Sequence, residues 1–473
     1  MVDDELQGGG RRRAKIVCTL GPASSDRETV RAMVDAGMDV ARINTSYGSP
    51  EDHAATIALV ADVAGAAGRT VGVLADLQGP KIRLGELDEE IELEVGQRVR
   101  LVDEGGSFDG AAGVEVVLPT TYDRLSVDVE PGHRLMIADG LVRLEVQDVG
   151  EGWTDAEVFR GGAVRTGRGV NLPDTTVTAP VLDDGDREHL AAALDAGADL
   201  IALSFVRRAS DADVVRAAME ELGRRAPVIA KIERADAVQD LEAVVQAFDG
   251  VMVARGDLGV EIDLAAVPLV QKQIITECRK AATPVIVATE MLESMAHAAR
   301  PTRAEASDVV NAILDGTDAV MLSGETSIGD HPAEVVATMA HLVEVAETVA
   351  APEPIDAEPD DPDVAVVRAA VDLAATLPDA VLAVLTRTGS TARRASALRP
   401  RNRLIVVAPP DGYEAWGVLW GVEIVAGSLS ADAPASRFRT VLGAAGDLGD
   451  EVVIALAGVQ PGRTDVIRRL DPG

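Results

Sequence analysis

The sequence predicts an α/β protein built on a TIM (β/α)8 barrel, with an inserted β-barrel-like lid domain and a C-terminal α/β domain. Three observations carry this reading. Short apolar runs alternate with helical patterns near the start of the chain, and the same rhythm resumes after residue 180. Between them lie about a hundred residues of short, alternating stretches. Beyond a Pro- and acid-rich segment, "APEPIDAEPDDPD" (351–363), a second and shorter βα pattern begins. Strands alternating with helices imply βαβ units and a parallel sheet. Three strands before the interruption and five after it make eight, the number that closes a barrel. A doubly wound open sheet has the same periodicity and stays open as the alternative.

Each element follows in order. "AKIVCTL" reads as a strand and "SDRETVRAMVDAG" as a helix with a Ser or Asp cap. "MDVARIN" is a strand, "SPEDHAATIALVADVAGAAG" a helix and "TVGVLADL" a strand. The insert, placed at 79–179, holds "IELEVGQRVRLV" and "RLMIADGLVRLEVQDV", separated by Gly- and Asp-rich turns. The later strands are "ADLIALSF", "PVIAKIE", "GVMVARG", "TPVIVATE" and "DAVMLSG". The barrel is thus assigned to 1–78 and 180–348. The segment 351–363 reads as a linker. The C-terminal domain, 364–473, shows "VVRAAVDLAATL", "AVLAVLTRTGS", "RLIVVAP", "GVEIV" and "EVVIALAG".

Composition narrows the function. The chain has 473 residues, is 47% hydrophobic and carries a formal net charge of −34. Such a field repels nucleic acid and anionic membranes. It also suits a salt-rich cytoplasm, where ~1 M salt shortens the Debye length to ~3 Å. No apolar run reaches the ~18 residues of a membrane span. "MVDDELQGGGRRR" has no apolar core of a signal peptide, so a cytoplasmic location is expected. Cys18 and Cys278 are expected to be reduced and packed. The six histidines show no metal-ligand spacing, and Trp416 and Trp420 read as core.

Barrel active sites form where strands end at the C-terminal face. The predicted strand ends there are Arg42, Asn44 and Ser46; Asp76; Lys231 and Glu233; Arg255, Gly256 and Asp257; Thr289 and Glu290; Ser323 and Glu325. Two carboxylates, Glu233 and Asp257, on adjacent strands suit Mg²⁺, which keeps water and substrate in its shell. The alternative is that both acids pair with nearby arginines as structural ion pairs. The chain uses five lysines against 39 arginines, yet keeps a lysine at 231. A compact ammonium can sit on one transferring oxygen or phosphoryl group, where a planar guanidinium does not fit.

These residues carry a resemblance. "AKIVCTLGPAS", "AGMDVARIN", "LADLQGPKIR", "GVNLP", "IALSFVR", "VIAKIERADAV", "VARGDLGVE", "VPLVQKQII" and "RPTRAEASDVVNAILDGTDAVMLSGETSIGDHP" resemble the pyruvate kinase family, in order and over nearly the whole chain. The resemblance implies transfer of the phosphoryl group of phosphoenolpyruvate to ADP. It implies Mg²⁺, or Mn²⁺, on Glu233 and Asp257, with Lys231 and Arg42 on the phosphoryl group. It places Thr289, Ser323 and Glu325 on the proton route, and the backbone of Arg255 and Gly256 at the substrate carboxylate. Asp139, in "ADGL", would approach the site as the lid closes. A homotetramer is also implied.

Departures from the family pattern raise further expectations. "NTSYG" replaces "NFSHG", with the monovalent-cation ligands Asn44, Ser46, Asp76 and the Leu77 carbonyl kept. Lys81 stands in "GPKIR" where potassium-dependent members carry glutamate, so a fixed ammonium would replace the potassium charge. Alternatively, Lys81 pairs with a nearby acid and the potassium site persists. Gln78 replaces a common lysine and Glu290 a common glutamine. "LTRTGSTARRASALRP" resembles the effector-phosphate loop, with Thr386, Thr388, Ser390 and Thr391 as its hydroxyls; an ordinary helix cap is the plainer reading. The shortened "AGVQPGRTDVIRRL" leaves open a sugar phosphate, a nucleotide or no effector. A pyruvate-enolate lyase and a catalytically impaired effector-binding relative are the rival functions.

Overall fold

The computed structural model describes residues 12–106, 114–349, 361–410, 412, 414–446, 448–458 and 463–472. Residues 1–11 of the N-terminal stretch read for a signal peptide, most of the 351–363 linker and residues 459–462 of the shortened loop lie outside them.

Eight parallel strands close into a barrel: β1 (Lys15–Leu20), β2 (Val40–Asn44), β3 (Gly72–Leu77), β4 (Leu200–Leu203), β5 (Val228–Ile232), β6 (Gly250–Ala254), β7 (Val285–Ala288) and β8 (Ala319–Leu322). β8 pairs with β1, so no edge is left open. All but one of their residues are buried, which is why they read as unbroken apolar runs. The helices between them start on side-chain caps. Asp26 accepts from the amides of Glu28 and Thr29, and Ser49, Asp183 and Thr302 form capping boxes.

The base of the barrel is built on a repeat. Asp39 accepts from Ile16 N at 2.9 Å and Asp199 from Val73 N at 2.7 Å. Asp249 accepts from Val228 N, and Asp318 from Val285 N, each at 3.0 Å. Each aspartate just before an even strand thus ties the odd strand preceding it. Each also returns its own N–H to the carbonyl of that same residue.

The insert leaves after β3 and returns before β4. It forms a six-stranded sheet and a two-stranded companion around its own apolar core, which includes Leu101, Leu118, Leu144 and Val158. The C-terminal domain is a five-stranded sheet with a core on each face. Its last strand, Val466–Leu470, runs antiparallel and was not legible as a strand, because "VIRRL" lies at the edge with alternating exposure. Cys18 and Cys278 are free and buried. Trp420 is buried; Trp416 is half-buried, in a 3₁₀ turn rather than a full helix. Among the described residues no helix is long and apolar enough to cross a membrane.

Candidate active site

Five strands supply one connected polar cluster at the C-terminal mouth. Lys231 on β5 is 9% exposed. Its Nζ donates to Ser204 Oγ at 2.6 Å and lies 2.9 Å from Glu233 Oε1 and 3.2 Å from Asp76 Oδ1. Asp76, on β3, also accepts from Arg42 Nε on β2 at 2.7 Å. Arg42 in turn donates to Thr19 Oγ1 on β1 at 2.9 Å. Register puts these together: Asn44 sits opposite Asp76, and Asp76 opposite Ala202.

Burial alone would strip these charges; their partners keep them. For Lys231, burial works against the ammonium, but Asp76 and Glu233 outweigh it and hold its pKa above the ordinary value. For Asp76, burial is again the largest influence, and Lys231 and Arg42 overcome it and pull the carboxyl down. Glu233 goes the other way. Burial, reinforced by Asp257, raises it despite Lys231 and the Phe205 amide. Two carboxylates that repel each other in a buried mouth leave room for a cation's charge.

Local backbone strain aims several donors. Phe205 has φ +55°, and its N–H donates to Glu233 Oε2 at 2.7 Å. Thr289 has φ +67°, rare for a β-branched residue, and its Oγ1 accepts from Gly256 N at 2.8 Å. The Arg255 side chain turns away, to Asp308 at 2.6 Å and the Thr289 carbonyl. Glu325 is fully buried and accepts from Leu292 N and Ser323 N; the buried Ser323 Oγ has no partner. Glu290 is exposed, at φ +53°.

The structure therefore joins Arg42, Asp76, Lys231 and Glu233 directly. Asp257, Gly256 and Thr289 form the next group around the mouth, and Ser323 with Glu325 a third. Lys81 Nζ lies 3.4 Å from Asp257 Oδ1 and over the Phe205 ring. Lys81 is thus paired with a nearby acid, the arrangement of the alternative reading. Asn44 Oδ1 accepts from Ser46 N, and the Leu77 carbonyl from Ser204 Oγ. Asp139 is exposed on a lid turn at φ +56°. Of the four effector-loop hydroxyls, Thr386 accepts from Gly389 N and Thr391 bonds Thr464, both buried. Thr388 and Ser390, bonded to each other at 3.2 Å, are the more open pair. Sequence reasoning missed Thr19, Ser204 and Phe205. Ser204 and Phe205 directly follow an apolar strand, the signal that flagged the others.

Fold and cluster define a (β/α)8-barrel enzyme whose charge-lined mouth can neutralise an anionic substrate. Comparison with known proteins narrows this. Residues 11–336 match the pyruvate kinase barrel domain and 364–468 the pyruvate kinase alpha/beta domain. A pyruvate kinase of Mycobacterium tuberculosis is 44% identical over 457 residues, spanning 95% of this chain and 96% of that protein. One from Corynebacterium efficiens is 46% identical over 414 residues, spanning 87% of this chain and 86% of that protein. The crystal structure of a Cryptosporidium parvum pyruvate kinase superposes with a TM-score of 0.88 at 30% identity, covering 100% of this chain and 98% of that one. The chain belongs to the pyruvate kinase family. That family generally uses Mg²⁺.

Proposed function

We propose that the chain transfers the phosphoryl group of phosphoenolpyruvate to ADP, with uptake of a proton, to give pyruvate and ATP. The observation that carries this is the buried Lys231 ammonium, held by three oxygen-bearing side chains, Ser204, Asp76 and Glu233. Glu233 and Asp257 would hold Mg²⁺ or Mn²⁺, which when bound supplies further positive charge to the transferring group. Two carboxylates rather than three or four fit an ion that keeps water and substrate oxygens. Lys231 and Arg42 neutralise the phosphoryl group in flight from two sides. Their fixed positions replace solvent reorganisation with preset charge. Thr289, Ser323 and Glu325 bring the proton to the enolate, and the amides at Arg255 and Gly256 hold the substrate carboxylate. Asp139 reaches the mouth when the lid closes and excludes water.

The test is ATP and pyruvate formation from phosphoenolpyruvate, ADP and Mg²⁺ in concentrated KCl. Equal amounts of both products are expected. Pyruvate without ATP, or neither product from folded protein, contradicts the proposal. The choice of concentrated salt follows from the −34 charge; a protein that works best in dilute buffer would end the salt-adaptation reading. Lys81 brings a positive charge to the mouth while paired with Asp257, and the reading we test is that K⁺ is not specifically required at Asn44, Ser46, Asp76 and Leu77. Replacing KCl with NaCl at constant ionic strength should leave the rate within about twofold; a tenfold loss (~1.4 kcal/mol) would reinstate the potassium site. A cytoplasmic homotetramer with a sugar-phosphate or nucleotide effector at Thr388 and Ser390 completes the proposal.

A further inference from the structure

The lid meets the barrel at one short helix, Arg255–Glu261. Its first turn carries Gly256 and Asp257. Its last two residues face the lid. A Cβ on Gly140, next to Asp139 in the lid turn, would lie 3.6 Å from Val260 Cγ1. Glu261 is 5% exposed and its Oε1 accepts from Asn171 Nδ2 at 3.1 Å. Asn171 ends the last lid strand, Val170–Asn171, where the chain turns back to the barrel. Glu261 Oε2 lies 3.5 Å from Arg234 Nη1, and Arg234 Nη2 donates to the carbonyl of Thr175 in the same returning segment. Arg207 binds that segment at two further carbonyls, Val177 and Ala179.

The packing around these groups is incomplete. A cavity of about 30 Å³ is lined by Asn171, Arg207, Arg234, Glu261 and Lys81 among others. Three buried polar atoms of its lining residues, Arg207 Nε, Arg234 Nε and Glu261 Oε2, have no hydrogen-bond partner. That volume holds one or two waters at ~15 Å³ each. The segment can therefore shift without breaking a close-packed core. The returning segment is joined to the helix by directional polar bonds as well as by apolar contact.

We infer that Asn171, Glu261 and Arg234 form a latch that ties the position of the lid to the alignment of the helix bearing Gly256 and Asp257. They are positioning residues: none touches the reacting atoms. The latch rests on the phosphotransfer reading, since it gives the helix its substrate. Its consequence is that lid closure and substrate binding share one free energy, so each strengthens the other.

The test compares wild type with Asn171→Leu, Glu261→Gln and the double variant. A lid-core variant, Leu101→Ala, serves as a control that loosens the lid without touching the latch. Each single latch variant should raise KM for phosphoenolpyruvate about tenfold while kcat stays within about threefold. The double variant should be no worse than the worse single one, because both break the same unit. Asn171→Gln, which keeps the amide, should recover part of the loss. Hydrogen exchange supplies a readout that needs no turnover. In wild type, Mg²⁺ with phosphoenolpyruvate should slow exchange in both 255–261 and 171–179. In Asn171→Leu, only the former should respond. An unchanged KM, shared protection in Asn171→Leu, or an equal KM rise in Leu101→Ala would overturn the latch. If wild type forms no ATP, the phosphotransfer reading falls, and the exchange experiment still decides the latch.

Discussion

Both ends of the barrel place acids at strand ends, and the balance of backbone and side-chain donors around them differs. At the base, Asp39, Asp199, Asp249 and Asp318 each accept a backbone N–H from the neighbouring strand. At the mouth, the Asp76 carboxylate takes two side-chain donors, Arg42 and Lys231. A backbone amide is fixed by the fold and cannot change partner. An ammonium on a flexible stem can move to a substrate oxygen. Burial of an acid therefore does not mark function by itself; the mobility of its partner does. The base stores stability and the mouth stores exchangeable charge.

The largest expected effect lies at the mouth. Glu233→Gln should reduce ATP formation by about a thousandfold, the scale of losing a preset electrostatic contact. It should leave thermal unfolding within a few degrees, because the amide can still accept from Phe205 N. A variant that lost stability and kept turnover would erase the distinction between the two ends. Next comes the base. Asp318 accepts from Val285 N and pairs at 2.7 Å with Arg399 of the C-terminal domain, which is 4% exposed. Asp318→Ala strands that arginine and should cost about 3–5 kcal/mol in denaturant unfolding. The rate per folded molecule should be unchanged.

The smallest effect sharpens the comparison within the base. Arg12, Arg216 and Arg399 stand beside Asp39, Asp249 and Asp318. Among the described residues Asp199 has no such ion pair. Burial, with Glu414 adding repulsion, pushes its pKa up to about 7. The folded value lies above the unfolded ~3.9, so folding favours the protonated form. Its contribution to stability is full below pH ~4 and is lost as pH rises through about 7. Asp199→Asn should therefore gain up to about 4 kcal/mol at pH 8 and nothing at pH 4. Urea melts at the two pH values check this, and an equal effect at both would remove Asp199 as the cause.

The sequence made the barrel legible because each strand is buried on both faces, and unbroken apolar runs separated by capped helices have few other readings. The mouth was legible for a related reason. Arg42, Asp76, Lys231 and Glu233 stand out at the ends of apolar strands. The base repeat was not read, although "GMDV", "GADL", "FDGV" and "GTDAV" carry it. An aspartate before a strand looks like an ordinary turn residue until its backbone partner is known. Ser204 and Phe205 escaped because their roles depend on a positive φ and on a hydroxyl's partner. In the effector loop, Thr386 and Thr391 face inward to structural partners, and spacing alone does not distinguish an inward hydroxyl from an outward one.

The most direct test is the rate of ATP formation by Lys231→Met, measured beside its thermal unfolding. The account predicts a loss of about a thousandfold or more in kcat with a folded, cooperative melt. A Lys231→Met protein that turned over within tenfold of wild type would show that the mouth's buried ammonium is structural, like the base, and would contradict the assignment of exchangeable charge to it.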